Sequence, residues 1–284
     1  MSEAERPSNS ANSDAVQVDF GGAELLQDLQ PLWEELFAHQ FSGEAAGLPV
    51  QQQPDSWPLR LAHYERIFDR QPAFVILARQ GKKAVGYALA YADEPIEGAG
   101  DGPVVTIESL IVVPEMRGQG LGGWLLEEAE AEGIDQWGAE VSALEVPAND
   151  PAAAEFYGRF GFVERGETWM RPAPQGEAVG TQHIDDDRLG DLLDEGSELF
   201  ALGVEEGPDN IWLSSEVLTL CQPEPGYPAD PAALEAVLAP FAEAGASSVL
   251  VALDDSSDSN WGEALTSLGF HRVLRLVTRP LVID

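Results

Sequence analysis

Lysine is nearly missing from this chain of 284 residues, and basic side chains of any kind are scarce. Only Lys82 and Lys83 are lysines, and 50 Asp and Glu face 15 Lys and Arg, which gives a formal net charge of -35. Such a surplus disfavours binding to nucleic acids and to anionic membranes, because both are polyanions. It is typical of proteins from salt-accumulating (halophilic) organisms, where at about 1 M salt a Debye length of roughly 3 Å screens the self-repulsion.

Cysteine and long apolar segments are also lacking. Cys221 is the only cysteine, which excludes an intrachain disulfide and a cysteine metal cluster, so we expect no bound metal. No apolar run approaches the roughly 18 residues that cross a bilayer, and the first residues do not resemble a secretory signal. We therefore expect a cytoplasmic protein. Residues 1–14, rich in Ser, Asn and Glu, are predicted to form a disordered tail.

The chain does contain enough apolar sequence, at 44% of its residues, to build a core in each of two domains. Residues 15–172 alternate between strand and helix patterns, which predicts an α/β (mixed α+β) fold around one mixed sheet. The predicted elements are a strand at 15–20, helices at 23–41 and 56–69, strands at 74–78, 84–91 and 104–113, a helix at 121–132 that ends near Gly133, a strand at 141–146, a helix at 150–160 capped by Asp150, and a strand that ends at Pro172.

The sequence after residue 180 partly repeats this pattern. The Gly-Phe and Arg-Pro pairs at 161–162 and 171–172 align without gaps on identical pairs at 269–270 and 279–280. This spacing predicts a diverged duplication. The predicted domains are 15–172 and 181–284, joined by a linker at 173–180. The second domain has predicted helices at 186–202 and 232–244 and strands at 211–220 and 249–253.

A glycine-rich loop, Arg117-Gly118-Gln119-Gly120-Leu121-Gly122, follows a predicted strand and precedes a predicted helix. Glycines permit positive φ angles and let a ligand approach the backbone. The converging N–H groups and the helix N-terminus then favour a pyrophosphate. A simple tight turn is the alternative. A nucleoside-triphosphate loop would need Gly-Lys-Ser/Thr, which does not follow here.

A dinucleotide-binding oxidoreductase is a second alternative for this loop. Gly118, Gly120 and Gly123 have the Gly-x-Gly-x-x-Gly spacing, and Glu140 lies about 20 residues further on, where that fold places an acidic residue. The loop, however, lies far from the first strand, and Arg117 opens it. The spacing alone leaves both interpretations open.

Residues 110–122 resemble the signature of the GNAT superfamily of acyltransferases, whose core is Gln/Arg-x-x-Gly-x-Gly/Ala. Ala154-Glu155-Phe156-Tyr157, followed by Gly161-Phe162, is similar to a later pattern of that family. The resemblance covers roughly residues 15–172. It implies a GNAT-like fold and an N-acyltransferase that uses acyl-CoA, most often acetyl-CoA, as co-substrate. The implied mechanism is direct attack of an amine on the thioester, without a covalent enzyme intermediate.

The resemblance also implies roles for particular residues. The loop at 117–122 would hold the CoA pyrophosphate, and the acyl carbonyl would lie where strands 104–113 and 141–146 separate. Asn149 precedes Tyr157 by eight residues, whereas the family usually has seven, so its CoA contact is in doubt. The backbone that would pair with the pantetheine arm belongs to Ile111, Val112 and Val113.

Two side chains are the candidates for proton transfer. Tyr157 is the candidate general acid, because a phenol near the leaving thiolate can supply its proton. The alternative interpretation is that Tyr157 is a structural residue of the core. Glu108 is the candidate base, acting through water, with Glu145 as a weaker substitute. The alternative for Glu108 is a charged residue on a sheet face.

The second domain lacks these features. Its corresponding loop contains Pro223, Pro225 and Pro228, which remove N–H donors, and Leu265 aligns with Tyr157. It resembles a degenerate GNAT-like domain that completes the sheet, covers the acceptor site or mimics a dimer partner. A pseudo-dimer within one chain favours a monomer. The partner is expected to be a small-molecule or peptide amine, and the alternative is a non-catalytic acyl-CoA-binding or regulatory module.

Overall fold

A computed structural model of the chain describes residues 15–41, 53–96, 98–172, 200–205, 218–223, 226–243 and 248–282. The predicted tail and linker lie outside these residues, as does most of the helix predicted at 186–202. The strands are β1 (Val16–Gly21), β2 (Ala73–Gln80), β3 (Lys83–Asp93), β4 (Val104–Val112), β5 (Val141–Pro147), β6 (Val163–Pro172), β7 (Phe200–Glu205), β8 (Leu218–Pro223), β9 (Ser248–Asp254) and β10 (His271–Pro280). The α-helices are α1 (Gln30–Phe41), α2 (Gln53–Arg70), α3 (Leu121–Trp137), α4 (Pro151–Arg159), α5 (Pro231–Glu243) and α6 (Trp261–Ser267).

The mixed α/β fold predicted from the sequence is confirmed. One core cluster joins β2 and β3 to α1, α2 and the 3-10 helix at Ala23–Leu29, and a second joins β4 and β5 to α3. Apolar side chains on both faces explain why β2 and β3 read as nearly continuous apolar runs. None of the described helices is long and apolar enough to cross a membrane.

The predicted end of α3 near Gly133 is wrong. The helix continues to Trp137 and ends at Gly138, whose φ of 66° allows its N–H to bond the Ile134 carbonyl. Gly133 serves packing instead, because a Cβ at this position would lie 2.7 Å from the Cβ of Val105. The missing side chain lets α3 approach β4 closely.

The predicted C-terminal end of the helix at 186–202 is also wrong. Residues Phe200–Glu205 form β7, which pairs antiparallel with β8 from Phe200 opposite Pro223 to Glu205 opposite Leu218. Phe200 is buried against Trp261, with ring centroids 5.8 Å apart. Pairing along β8 and this aromatic contact outweigh the local helical spacing.

The predicted boundary at 173–180 does not divide the sheet. All ten described strands form one sheet in the order β1-β2-β3-β4-β5-β10-β6-β9-β8-β7. β10, from the second part of the chain, lies between β5 and β6 of the first part. β6 in turn pairs with β9 of the second part. Each part therefore contributes its last strand to the other.

The two exchanged strands have the same register. In one pairing Pro280 lies opposite Val141, and in the other Pro172 lies opposite Ser248. The gapless alignment of the two Gly-Phe pairs places Pro172 on Pro280. Where β6 and β10 meet, Arg275 lies opposite Glu167, and the same alignment places these two residues on each other. The described sheet thus has an approximate two-fold axis between β6 and β10.

We expect Gly133→Ala to lower the free energy of unfolding by about 1–3 kcal/mol, because the new Cβ overlaps Val105 and neither backbone can yield freely. Gly158→Ala is the matched control, since a Cβ at Gly158 in α4 meets nothing within 4 Å. It should raise stability by up to about 1 kcal/mol through helix propensity. Urea denaturation measures both, and equal effects of the two changes would contradict the packing role of Gly133.

Candidate active site

An opening between β4 and β5 forms the centre of the candidate site. The two parallel strands pair only from Val104 opposite Val141 to Thr106 opposite Ala143. Beyond these pairs they separate, as expected from the resemblance. The rest of β4 remains paired with β3 on its other side. Its backbone therefore has an edge that faces the opening between the strands.

A β-bulge places Glu108 at the start of this opening. Ser109 lies opposite Leu89 and Ile107 lies opposite Ala90, so Glu108 is the additional residue on β4. A bulge changes which face of the sheet successive side chains occupy. Ile107 packs with the α3 core, whereas Glu108 and Ser109 both face α2. The bulge therefore directs Glu108 towards α2.

Two basic side chains of α2 hold the Glu108 carboxylate. Its Oε1 lies 2.7 Å from the guanidinium of Arg60 and 2.8 Å from Nε2 of His63. Burial alone would raise the pKa of Glu108, but the charge of Arg60 and the hydrogen bonds from His63 and Arg60 outweigh it and lower that pKa. The carboxylate is therefore ionised at neutral pH. Within the described part of the chain, both contacts are to Oε1.

Arg60 is itself fixed by a buried polar and aromatic cluster. Its guanidinium lies between Trp33 and Tyr64, 4.6 and 4.5 Å from their ring centroids. The Tyr64 hydroxyl is 3.0 Å from that of Tyr87 and 2.7 Å from the Ser109 hydroxyl. Arg60 is only 5% exposed, so α2 holds its charge in a fixed position below Glu108.

The sequence analysis did not identify Arg60 and His63 as site residues. The spacing in the predicted helix at 56–69 could have identified Arg60. It lies four residues before Tyr64, which places both side chains on the same, buried face of α2. A basic residue on a buried helical face needs a carboxylate partner. Nothing in the spacing, however, identified Glu108 as that partner.

Further carboxylates surround the same end of the opening. Tyr91 lies opposite Thr106 across β3 and β4. Burial raises the pKa of Tyr91, and the negative charges of Glu108, Asp93 and Glu145 raise it further. These charges are therefore close enough to act together. This end of the opening is acidic, which suits a positively charged ligand.

The glycine loop lies at the other side of the opening. Gly118 and Gly120 have φ angles of 73° and 87°, and a Cβ on either would meet nothing within 4 Å. α3 begins at Leu121, and none of the described side chains caps its N-terminus. Its first N–H groups therefore have no side-chain acceptor in the described part of the chain, and such an arrangement can bind phosphate groups.

Arg117 and Gln119 hold the ends of this loop. Nε of Arg117 donates to the Val112 carbonyl at 2.9 Å, and Nε2 of Gln119 donates to the Glu115 carbonyl at 2.9 Å. The loop is thus tied to the end of β4. The predicted cofactor residues of this region all lie between the end of β4 and the start of α3. They are Ile111, Val112, Val113, Arg117, Gly118, Gln119, Gly120, Leu121 and Gly122.

α4, which carries Tyr157, packs against the start of α3 through Phe156. Phe156 reaches 3.6 Å from the position of a Cβ on Gly122, and it packs edge-on against Tyr157 with ring centroids 5.0 Å apart. Burial raises the pKa of Tyr157, and the charge of Asp150 adds to this. The phenol therefore keeps its proton at neutral pH and is available as a proton donor. Asp150 also caps α4, as predicted, by accepting from Ala153 N.

Asn149 lies in an exposed turn between β5 and α4. β4 and β5 are parallel, so this turn and the end of β4 lie at the same edge of the sheet. No described contact joins Asn149 to the glycine loop. Its role in binding remains a prediction.

The second part of the chain differs at the corresponding helix. The Asp230 carboxylate accepts from Ala232 N at 3.0 Å and from Ala233 N at 3.1 Å, and so caps α5. A negative charge thus occupies the place where a phosphate would bind. Leu265, which aligns with Tyr157, is fully buried in the core. Neither feature suits cofactor chemistry.

The sheet does not support the dinucleotide-binding alternative. β4 pairs antiparallel with β3, and β4 and β5 separate after three residue pairs. A dinucleotide-binding fold has a mostly parallel sheet around its glycine loop.

Residues 30–162 match the Acetyltransferase (GNAT) family. No curated protein matches this sequence. Among solved structures, the chain is similar to a GCN5-related N-acetyltransferase from Sphaerobacter thermophilus, with 16% identity and a TM-score of 0.54 over 95% of this chain and 97% of that one. It is also similar to a tandem GNAT protein from the clavulanic acid biosynthesis pathway, with 15% identity and a TM-score of 0.52 over 95% of this chain and 100% of that one.

A third similar structure is the GCN5-related glucosamine N-acetyltransferase region of a fungal multi-domain GH3 beta-N-acetylglucosaminidase. It has 15% identity and a TM-score of 0.57 over 94% of this chain and 38% of that one. At these identities the likeness concerns the fold. Together with the match of residues 30–162 to the Acetyltransferase (GNAT) family, it supports a GNAT-like fold.

Proposed function

We propose that this protein transfers a short acyl group, most often acetyl, from acyl-CoA to the nitrogen of an amine. The observation that carries this proposal is the position of an uncapped, glycine-lined helix N-terminus beside the opening between β4 and β5. The acceptor is a small molecule or a peptide amine. The protein acts as a monomer in the cytoplasm.

The residues at the glycine loop fit the pyrophosphate of CoA. The space beside Gly118 and Gly120 is open, and Arg117 supplies a positive charge in a strongly acidic chain. Local N–H donors bind a phosphate at short range, where the field of distant carboxylates is screened by salt. The edge of β4 that faces the opening provides backbone groups for the pantetheine arm. The Val112 carbonyl already accepts from Arg117, and the Val113 N–H donates to the Val85 carbonyl at 3.0 Å, so these two groups are not available to it.

Acyl-CoA is a thioester whose carbonyl carbon an amine can attack, with the CoA thiolate as leaving group. The amine must reach that carbon as a free base. As the C–S bond breaks, Tyr157 on α4 can give its hydroxyl proton to the sulfur, and the proton that the nitrogen loses as the C–N bond forms returns to the phenolate through water.

Glu108 prepares the acceptor. Because its carboxylate is ionised, and because Arg60 and His63 engage Oε1, its Oε2 can accept a hydrogen bond from the acceptor's ammonium group. The lowered pKa makes Glu108 a weak base, so the proton leaves through water rather than resting on the carboxylate. Its main contribution is then to bind and orient the amine.

We expect acetyl-CoA to bind the wild-type protein saturably in calorimetric titration in molar KCl. Gly120→Glu should abolish binding, because its carboxylate enters the phosphate position. Gly226→Glu is the matched control. Gly226 also has a positive φ, 74°, and open space around it, but it lies in the second part of the chain. It should bind like the wild type, and equal loss in both variants would contradict the assignment of the loop.

Tyr157→Phe should lower kcat by about 10²–10⁴-fold without changing the Kd for acetyl-CoA, because only proton donation is lost. Thiol release with any amine that the wild type acylates measures this. The raised pKa of Tyr157 keeps its proton in place at alkaline pH, so no loss of activity from this residue is expected below about pH 10. Unchanged turnover in the variant would exclude the proton-donor role.

Glu108→Gln should raise the KM for the acceptor by about tenfold to a hundredfold, because a neutral amide binds an ammonium group less strongly. The amide oxygen can still accept from Arg60 and His63, and a thermal melt verifies the fold. The lowered pKa of Glu108 means that protonation of this group reduces activity only below about pH 4.5 in the wild type. An acceptor KM equal to that of the wild type would contradict the binding role.

A further inference from the structure

The last strand of the second part of the chain carries an arginine that binds the catalytic part at two places. Nε of Arg279 on β10 donates to Oε1 of Glu130 at 2.7 Å. Nη2 of the same arginine donates to Oε2 of Glu130. Glu130 lies on α3 and is only 3% exposed. Nη1 of Arg279 donates at 2.6 Å to the carbonyl of Phe160, which ends α4. One guanidinium thus joins α3 to α4.

β10 also fixes the other end of α4. The Ala148 N–H, just before α4, donates to the Val273 carbonyl at 2.9 Å. The Ala148 carbonyl accepts from Arg275 at 3.1 Å. Both ends of α4 are therefore held by a strand from the other part of the chain. Tyr157 lies between these two attachments.

Phe160 extends the connection to the glycine loop. Its ring lies 2.6 Å from the position that a Cβ on Gly123 would occupy, in the first turn of α3. Arg279 holds the backbone of Phe160 and lies 5.3 Å from the ring centroid of Phe162. The distance between the start of α3 and Tyr157 is thus set by contacts that include Arg279.

We propose that Arg279 is a positioning residue for the acyl-CoA site, supplied by the second part of the chain. It fixes α4 relative to α3, and so fixes the Tyr157 hydroxyl relative to the N–H groups of the glycine loop. This inference rests on the proposed acyltransferase function. It gives the second part a role in the chemistry although it lacks a phosphate loop of its own.

The approximate two-fold axis provides a matched control. Arg171 on β6 makes the corresponding contacts in the opposite direction. It bonds Glu235 on α5 and the Leu268 carbonyl, and lies 4.7 Å from the ring centroid of Phe270. The gapless alignment places Arg171 on Arg279 and Phe270 on Phe162. Arg171, however, serves α5 and α6, which carry no glycine loop and no tyrosine at the aligned position.

The experiment compares Arg279→Lys with Arg171→Lys in the full chain. A lysine keeps the charge but cannot bond a carboxylate and a carbonyl together in the same geometry. Arg279→Lys should raise the Kd for acetyl-CoA and lower kcat, each by about tenfold to a hundredfold, with the acceptor KM unchanged. Arg171→Lys should leave all three within about twofold of the wild type. Hydrogen exchange should accelerate at 121–124 and 148–160 only in Arg279→Lys.

Two results would overturn the proposal. One is an Arg279→Lys protein whose Kd, kcat and exchange match the wild type. The other is an Arg171→Lys protein that changes them as much. If Arg279→Lys does not fold, Glu130→Gln, which removes the charge at the other end of the same contact, should produce the same pattern. A wild type that binds no acetyl-CoA contradicts the proposed function, whereas hydrogen exchange, which needs no ligand, still tests the positioning of α4.

Discussion

The antiparallel pairing of β10 with β5 is the contact on which the rest of the candidate site depends. β5 gives only three residue pairs to β4, from Val141 to Ala143, because the strands must separate to form the opening. β10 pairs with the opposite edge of β5 along the whole strand, from Pro280 opposite Val141 to Leu274 opposite Pro147. The opening between β4 and β5 therefore persists because another strand holds β5 from the far side.

Charge works in opposite directions at the two ends of this opening. Near Glu108 several carboxylates lie together, and Arg60 and His63 contact that of Glu108. At the glycine loop the donors are backbone N–H groups and Arg117. Under the proposed function, a polyanionic acyl-CoA and a cationic acceptor would be drawn to different ends of one site, despite a net charge of -35 on the whole chain. Short-range donors determine where the anion binds, and the overall charge favours the cation.

Much of the first part of the fold could be predicted from the sequence. Strands with continuous apolar runs and the Asp150 cap are local features, and local sequence is sufficient for them. The predicted end of α3 at Gly133 was wrong, because a glycine in a helical sequence can mark either a helix end or a close packing contact. The contact with Val105 is tertiary and is visible only in the structure. The glycine loop was recognisable for the opposite reason: its positive φ angles need glycine whatever lies around it.

The exchange of β6 and β10 could not be predicted from the repeat. An identical Arg-Pro at the end of two similar segments indicates two similar strands, but either strand can pair within its own part or across. The arginines distinguish the two arrangements only in three dimensions, since each bonds a glutamate in the other part. Arg60 and Glu108 present the same difficulty, because a pair of buried charges far apart in sequence becomes visible only when α2 is placed on β4.

The exchanged strands also affect the order in which the site can form during synthesis. β5, α3 and α4 leave the ribosome long before β10, the last of the described strands, and contacts between distant segments form late in folding. Until β10 arrives, the far edge of β5 lacks its native partner, and an unpaired strand edge can associate with other chains. The candidate site therefore reaches its native strand pairing only after the second part of the chain has been made.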